Sequence, residues 1–228
     1  VSILAIKIDL LHRKIMRGEI DMPSEYELRL ETVKDYKEVE NLTREAFWNK
    51  YRPGCTEHYV LHRYRMLPEF VKELDYVIEE EGKIVAHIMY SRAEIEEDNG
   101  QIIPILIFGP VSVLPEMQGK GYGGIIIRHT LNKAAELGYG AVAITGNPDY
   151  YHRFGFVSGS SVGIYYSDMP REEEAPFFMV KTLKNGFLDG ITGTYHDPKG
   201  YKTSEDEVEA FDASFSPKEK KKLPGQLA

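Results

Sequence analysis

The period of the apolar positions changes several times along the chain, and each change marks an element. Leu4, Ile8, Leu11 and Ile15 recur at helical spacing, which predicts an amphipathic helix over 3–18. Tyr26–Glu31 alternates instead, as a half-buried strand does. Segments 33–48 and 57–67 return to helical spacing, with Tyr36, Val39, Leu42 and Phe47 on or near one face of the first. From Asp75 to Glu97 the chain reads as two strands broken at Glu81-Gly82. A second turn in "EDNGQ" leads into "IIPILIFGPVSVL", an apolar run that holds Pro104 and Pro110. Proline cannot donate to a ladder, so this strand is expected to carry a bulge or an unpaired edge. "GYGGIIIRHTLNKAAEL" predicts a helix with Ile127, Leu131, Ala134 and Ala135 on one face and Gly138 as its stop. "GAVAITG", residues 140–146, is a continuously apolar strand of the kind buried on both faces. "NPDYYHRFGF" reads as a tight helical turn, and "FVSGSSVGIY" and "PFFMVKTL" as two further strands. The Lys run in "SPKEKKKLPGQLA" reads as a solvated terminus.

Composition fits one domain with extensions. The chain has 228 residues, 42% hydrophobic and 28% charged. We divide it into an N-terminal helical extension (1–22), a domain (23–190) and a C-terminal extension packing on that domain (191–228). The formal net charge of -8 argues against nucleic acid, whose phosphates need Lys and Arg. No apolar run is long enough to predict a membrane span, and residues 1–14 lack the pattern of a signal peptide. Cys55 is the only cysteine, so no internal disulfide forms, and a cytoplasmic location is expected. Nothing around Cys55 suggests a nucleophile. His58 and His62 have the spacing of a zinc helix, but Tyr59 stands where such a helix needs Glu, so no metal is expected.

The candidate chemistry lies in "QGKGYGG", which runs straight into a helix. Gly119, Gly121 and Gly124 satisfy G-x-G-x-x-G. A dinucleotide site also needs an acid about 20 residues on, and the window "YGAVAITGN" holds none. Antiparallel-looking strands precede the loop, which is also the wrong order. A P-loop needs Lys followed by Ser or Thr, and Lys120 sits between glycines. What remains is a disrupted strand, a glycine loop and a helix start. Free N–H groups and the helix dipole there suit a diphosphate, and glycine at 121 and 123 lets the backbone come close.

This arrangement resembles the acetyl-CoA signature of the GNAT superfamily of N-acetyltransferases, R/Q-x-x-G-x-G/A, carried here by Gln118-Gly119-Lys120-Gly121-Tyr122-Gly123. Two further features strengthen the resemblance. "FGPVSVLPEMQGKGYG" places a disrupted strand directly before the loop, and "YYHRFGF" matches the family's Y-x-x-x-G-F element with Tyr151 as its tyrosine. Similarity covers roughly 26–183, is tightest over 108–156, and is greatest to the YhbS-like group of bacterial acetyltransferases. Many members carry Asn seven residues before the tyrosine; here Ile144 stands there and Asn147 is four before it.

The resemblance implies an α/β (α+β) fold. A central mixed, mostly antiparallel sheet splays between its two cofactor-side strands, with helices on both faces. It implies that Val111, Ser112 and Val113 pair with the pantetheine arm of acetyl-CoA. Residues Gln118, Gly119, Lys120, Gly121, Tyr122 and Gly123 would hold the diphosphate, and Asn147 and Tyr151 would also contact the cofactor. The implied activity is an acetyl-CoA-dependent N-acetyltransferase acting on a primary amine by direct attack. Tyr151 would protonate the leaving thiolate, and the N–H of Val113 would stabilise the developing oxyanion. Glu94 and Glu96, two apart and so on one strand face, are the candidate bases. His87, inside an apolar run, reads as a packed histidine. The expected partners are acetyl-CoA, an unidentified amine acceptor and a possible second copy in a homodimer, with no nucleic acid, membrane or metal. The alternative is a catalytically idle acetyl-CoA-binding module for sensing or assembly.

Overall fold

The computed structural model describes residues 25–226. The expected helix over 3–18 and the 1–22 extension lie outside that range. Strands β1 (Tyr26–Leu30), β2 (Tyr76–Glu80), β3 (Lys83–Glu97), β4 (Ile102–Val113) and β5 (Ala141–Thr145) form the body of one sheet. Strands β6 (Val157–Ser158), β7 (Ile164–Tyr166), β8 (Phe178–Thr182) and β9 (Gly193–Tyr195) complete it. The order is β1-β2-β3-β4-β5-β8-β6, with β9 joined to the far end of β3 and β7 to β9. Among the described strands only β4–β5 and β7–β9 run parallel, so the sheet is mixed and mostly antiparallel, as expected. The helices are α1 (Tyr36–Phe47), α2 (Glu57–Tyr64), α3 (Tyr122–Glu136), α4 (Pro148–Tyr151) and α5 (Glu205–Asp212).

Neighbouring residues of β4 show which face each main helix covers. The Ser112 hydroxyl donates to Thr43 Oγ1 on α1 at 2.9 Å. The Val113 side chain lies on the other face, 3.6 Å from where a Cβ on Gly123 of α3 would stand. Successive strand residues point to opposite faces, so α1 and α3 sandwich the sheet. The first half of β3, from Ile84 to Ser91, is therefore buried at every position. Beyond it buried Ala93 and Ile95 alternate with exposed Arg92, Glu94 and Glu96, because one face there meets solvent.

The two prolines of β4 act as their chemistry requires. Ile88 faces Val111 and Tyr90 faces Phe108, so Gly109 and Pro110 together oppose one residue of β3 and form a bulge. Pairing with β5 is confined to Leu106 and Ile107, and Pro104 precedes it. After Ile107 the two strands part. The strand expected across "FVSGSSVGIY" is broken into β6 and β7 by a helical turn at Gly159–Val162 and a left-handed Gly163 (φ 78°). The Lys run is solvated as expected, with residues 219–225 exposed, and the segment also lies along α1: Lys218 pairs with Glu45 at 2.7 Å, and the Trp48 indole donates to the Glu219 carbonyl at 3.0 Å.

A buried charged cluster ties β2 and β3 to α1 and α2. The Arg65 guanidinium meets Glu31 at 2.5 and 3.1 Å and Glu40 at 2.9 Å, while His87 Nε2 lies 2.7 Å from Asp75. His87 is thus the packed histidine expected. One guanidinium serves these carboxylates in a place water does not reach. Burial, reinforced by neighbouring Asp75, pushes Glu31 up to about 8. Burial likewise pushes Asp75 up to about 6 and His87 down to about 4.

An unfolded chain releases the Glu31 proton near its ordinary value of 4.5, whereas the fold keeps it until about 8. Stability therefore falls as pH rises between those values. Asp75 has finished titrating by about pH 7, and His87 and His58, which the fold holds neutral, shed their unfolded-state protons around the ordinary value of 6.5, so Glu31 dominates the window above about pH 7.5. Urea midpoints of the wild type should decline from about pH 7.5 to about 8.5, and Glu31→Gln should flatten that decline. An equal slope in the variant would show that another group is responsible.

Candidate functional site

The parting of β4 from β5 opens a cleft of about 500 Å³. Leu114 N–H donates to the Val85 carbonyl at 3.0 Å, toward β3. Backbone groups alternate sides along a strand, so those of Val111 and Val113 face the open edge. The Val113 carbonyl is taken up there by Gln118 Nε2 at 3.0 Å. The loop then turns through left-handed Gly119 (φ 80°) and Gly121 (φ 96°), and the Gly121 carbonyl accepts from Ile125 N–H at 3.0 Å to begin α3. Gly121 has no side chain with which to cap the helix, so the first-turn N–H groups are offered to the cleft without a built-in capping oxygen. Gly123 has a second reason to be glycine. A Cβ there would stand 2.7 Å from the Tyr150 hydroxyl.

Charge is distributed unevenly around this opening. Lys50, Arg128 and Arg153 line it, and among the described residues no carboxylate or histidine does. In a chain of net charge -8 this is a concentrated cationic surface facing a helix N-terminus. Arg153 lies 4.8 Å from the Tyr150 ring centre and Arg128 5.4 Å from that of Phe154, while Lys50 Nζ reaches Gln118 Oε1 at 3.3 Å. Sequence reasoning missed all three cations. Arg128 stands one helical turn after Gly124 and was legible by i, i+4 spacing, and Arg153 lies within the Tyr151 element itself; Lys50 comes from a distant element and carried no local signal.

Tyr150 and Tyr151 share α4, and their rings diverge at 87° with centres 5.1 Å apart. Tyr150 reaches toward the start of α3. Tyr151 packs on Phe108 at 5.9 Å and Phe156 at 6.0 Å, at the closed end of the cleft where β4 leaves β5. Burial raises the Tyr151 phenol well above its ordinary value. It is therefore a weaker acid than the balanced match to a thiol that a free tyrosine offers, and it stays protonated throughout the neutral range.

Several expected site residues stand elsewhere. The Ser112 side chain is turned into the core toward Thr43. Tyr122 touches the cleft, but its ring is buried edge-on to Tyr26 at 6.2 Å. Lys120 is exposed, with Nζ 3.4 Å from Sδ of Met117 at the cleft, and is itself outside the lining. Asn147 is spent on capping α4, its Oδ1 accepting from Asp149 N–H at 2.9 Å, and is likewise outside the lining. Glu94 and Glu96 are displaced furthest. Ile88 is the β3 residue opposite Val111, and Glu94 lies six positions beyond it, roughly 20 Å at strand rise. Both carboxylates are exposed, and Glu96 faces His196 at 3.6 Å. The geometry removes them as bases for this cleft.

His58 and His62 find different partners. His62 Nδ1 lies 2.8 Å from Glu40, whereas His58 stands between Cys55 Sγ (3.3 Å) and Asp212 Oδ1 (3.1 Å). Burial raises the Cys55 thiol far above its usual range, which keeps it un-ionised. The potential ligand atoms of Glu31, Asp75 and His87 do converge within 4.8 Å. They come from three separate stretches of sequence, and the nearby cation on Glu31 is Arg65.

Comparison with known proteins agrees with this geometry. The acetyltransferase (GNAT) domain family matches residues 27–158. The uncharacterized N-acetyltransferase YjhQ of Escherichia coli K12 is 35% identical over 95 residues, which is 41% of this chain and 51% of YjhQ. The uncharacterized N-acetyltransferase YhbS of the same strain is 27% identical over 121 residues, 52% of this chain and 69% of YhbS. The chain thus spans about half the length of the first of these relatives. Among solved structures, Escherichia coli YhbS in complex with CoA superposes with TM-score 0.68 at 22% identity, covering 79% of this chain and 94% of that one. A GNAT family acetyltransferase from Brucella melitensis in complex with acetyl-CoA gives TM-score 0.61 at 26% identity, covering 78% and 99%.

A Cβ in the left-handed region costs about 1–2 kcal/mol. Gly121→Ala should therefore lower unfolding stability by about that amount although nothing stands within 4 Å of the new methyl group. Chemical denaturation checks this, and an unchanged midpoint would mean that the loop does not need its left-handed turn.

Proposed function

The chain belongs to the GNAT acetyltransferases, and we propose that it moves an acetyl group from acetyl-CoA to a primary amine. The observation that carries this reading is the open edge of β4, set beside an uncapped helix start in a cleft lined by three cations and, among the described residues, no carboxylate. The diphosphate of acetyl-CoA suits the first turn of α3. Lys50, Arg128 and Arg153 answer the remaining phosphate charge, and the exposed groups of Val111 and Val113 accept the amide-bearing arm as an added strand.

The transfer itself makes one bond and breaks one. The amine nitrogen, which enters as the free base, attacks the thioester carbon; a C–N bond forms, the N–H proton passes to water, the C–S bond breaks, and the sulfur leaves with the electron pair. Tyr151 donates the proton that sulfur needs and regains one from solvent. The oxyanion donor must stand beside this acid, because both serve atoms bonded to the same carbon. Val111 is closer along β4 than Val113 to Phe108, on which Tyr151 packs, so its N–H replaces that of Val113 in this role. Val113 then serves the arm nearer the glycine loop.

Titration calorimetry should detect acetyl-CoA binding that weakens with added salt. Arg128→Gln should weaken it by about tenfold, since it removes one charge-assisted contact. If affinity is indifferent to both changes, the cations do not hold the phosphates. Tyr151→Phe should bind acetyl-CoA nearly as well as the wild type, yet release thiol to a panel of primary amines at least about 10²-fold more slowly. Tyr150→Phe is the matched control and should keep most of its turnover. Binding by the wild type with no thiol release to any amine would favour the idle module.

A further inference from the structure

Lys50 and Tyr51 stand on the cleft wall, and the residue just before them is held from outside the domain. Asn49 leaves the end of α1 in the left-handed region, at φ 58°. Asparagine is among the few residues other than glycine that adopt this conformation readily. Its N–H donates to the Gly54 carbonyl at 2.8 Å, and its Oδ1 accepts from Gly54 N–H at 2.9 Å, which closes the loop 49–54 on itself. Three further hydrogen bonds run to the C-terminal segment. Lys221 N–H donates to Asn49 Oδ1 at 2.9 Å, Asn49 Nδ2 donates to the Glu219 carbonyl at 3.0 Å, and Gln226 Nε2 donates to the Asn49 carbonyl at 2.9 Å. Two backbone N–H groups and one carbonyl thus dictate which way the amide points.

The same carbonyl of Glu219 also takes the indole N–H of Trp48, the only tryptophan in the chain. The segment continues across Gly54, with the Lys220 side chain 3.2 Å from where a Cβ on Gly54 would stand. Next to it Cys55, the sole cysteine, is 4% exposed. Upstream, Asp212 is held by buried Arg44 at 2.6 and 3.1 Å, so the segment is anchored at both ends.

We propose that Asn49 is a positioning residue of the cleft, through which the C-terminal segment 217–226 sets where Lys50 and Tyr51 stand. This rests on the acetyl-CoA reading, because acetyl-CoA is the ligand whose affinity reports the position of the wall. The segment lies outside residues 27–158, where the family matches, so the clamp is an addition to the shared domain. It works at one remove. Asn49 does not line the cleft, but a loop closed on Gly54 and fastened to three points of the segment leaves its next two residues little freedom.

The test uses the full chain and three readouts: acetyl-CoA affinity by calorimetry, Trp48 emission, and the rate at which a thiol reagent labels Cys55. Asn49→Gly keeps the left-handed turn and removes the amide. It should bind acetyl-CoA about tenfold more weakly, shift Trp48 emission and label Cys55 faster while circular dichroism still shows a folded chain. Asn49→Asp keeps the acceptor and loses the donor, so its affinity should fall between the two. Shifted Trp48 emission with wild-type affinity overturns the clamp and leaves the acetyl-CoA reading intact, and so does an unshifted Trp48. Failure of the wild type to bind acetyl-CoA overturns the reading and the clamp together. If Asn49→Gly does not fold, Gln226→Ala decides. It removes one tether at the surface, so affinity weakened by about threefold supports the clamp and unchanged affinity sinks it.

Discussion

A β-strand that loses its neighbour exposes a row of N–H and C=O groups that must be paired by something. In this chain that happens to β4 after Ile107, in the middle of a sheet covered on both faces. The Gly109–Pro110 bulge turns the strand away from β5, and every feature of the cleft follows from the gap. The glycine loop can lie beside the open edge only because β5 does not fill that space. Tyr151 can pack on Phe108 and still line the opening because it stands at the point of divergence. Had the pairing with β5 continued to Val113, the same residues would form a closed sheet with no site.

Electrostatics around the gap run against the rest of the molecule. The chain carries a net charge of -8, yet the cleft gathers Lys50, Arg128 and Arg153 without a carboxylate among its described lining residues. Negative charge that is buried collects elsewhere, at Glu31, Glu40 and Asp75, where Arg65 and a retained proton limit the penalty of burial. Separating the two clusters matters because a carboxylate in the cleft would repel a polyanionic ligand. The C-terminal segment contributes to the arrangement from the opposite side of the wall, by fixing the turn that presents Lys50.

Local chemistry made much of this legible. Pro104 and Pro110 cannot complete a ladder wherever they sit, so a disrupted β4 follows from residue type alone. Gly119 and Gly121 adopt left-handed conformations that side chains avoid, and the loop they form leads directly into α3. The apolar period of α3 and the continuous apolar run of β5 survive folding because each reflects how many faces its element buries. The glycine signature and the Tyr151 element were found for the same reason: each is a short stretch whose geometry depends on its own residues.

Tertiary structure alone decided which charged groups meet. Glu94 and Glu96 had a strand and a shared face that suited a base, but nothing local says how far along β3 the cleft lies; the register with β4 does. Asn147 looked like a ligand contact and became a helix cap, because the backbone N–H of Asp149 was the nearer partner. Lys50 and Asn49 carried no signal, since their roles exist only once segments far apart in the chain are brought together. The sequence by itself determined most of the elements, the broken strand and the left-handed glycine loop, since each rests on backbone conformation over a few residues. The walls, the missing base and the clamp are products of register and long-range packing, which no short stretch of the chain encodes.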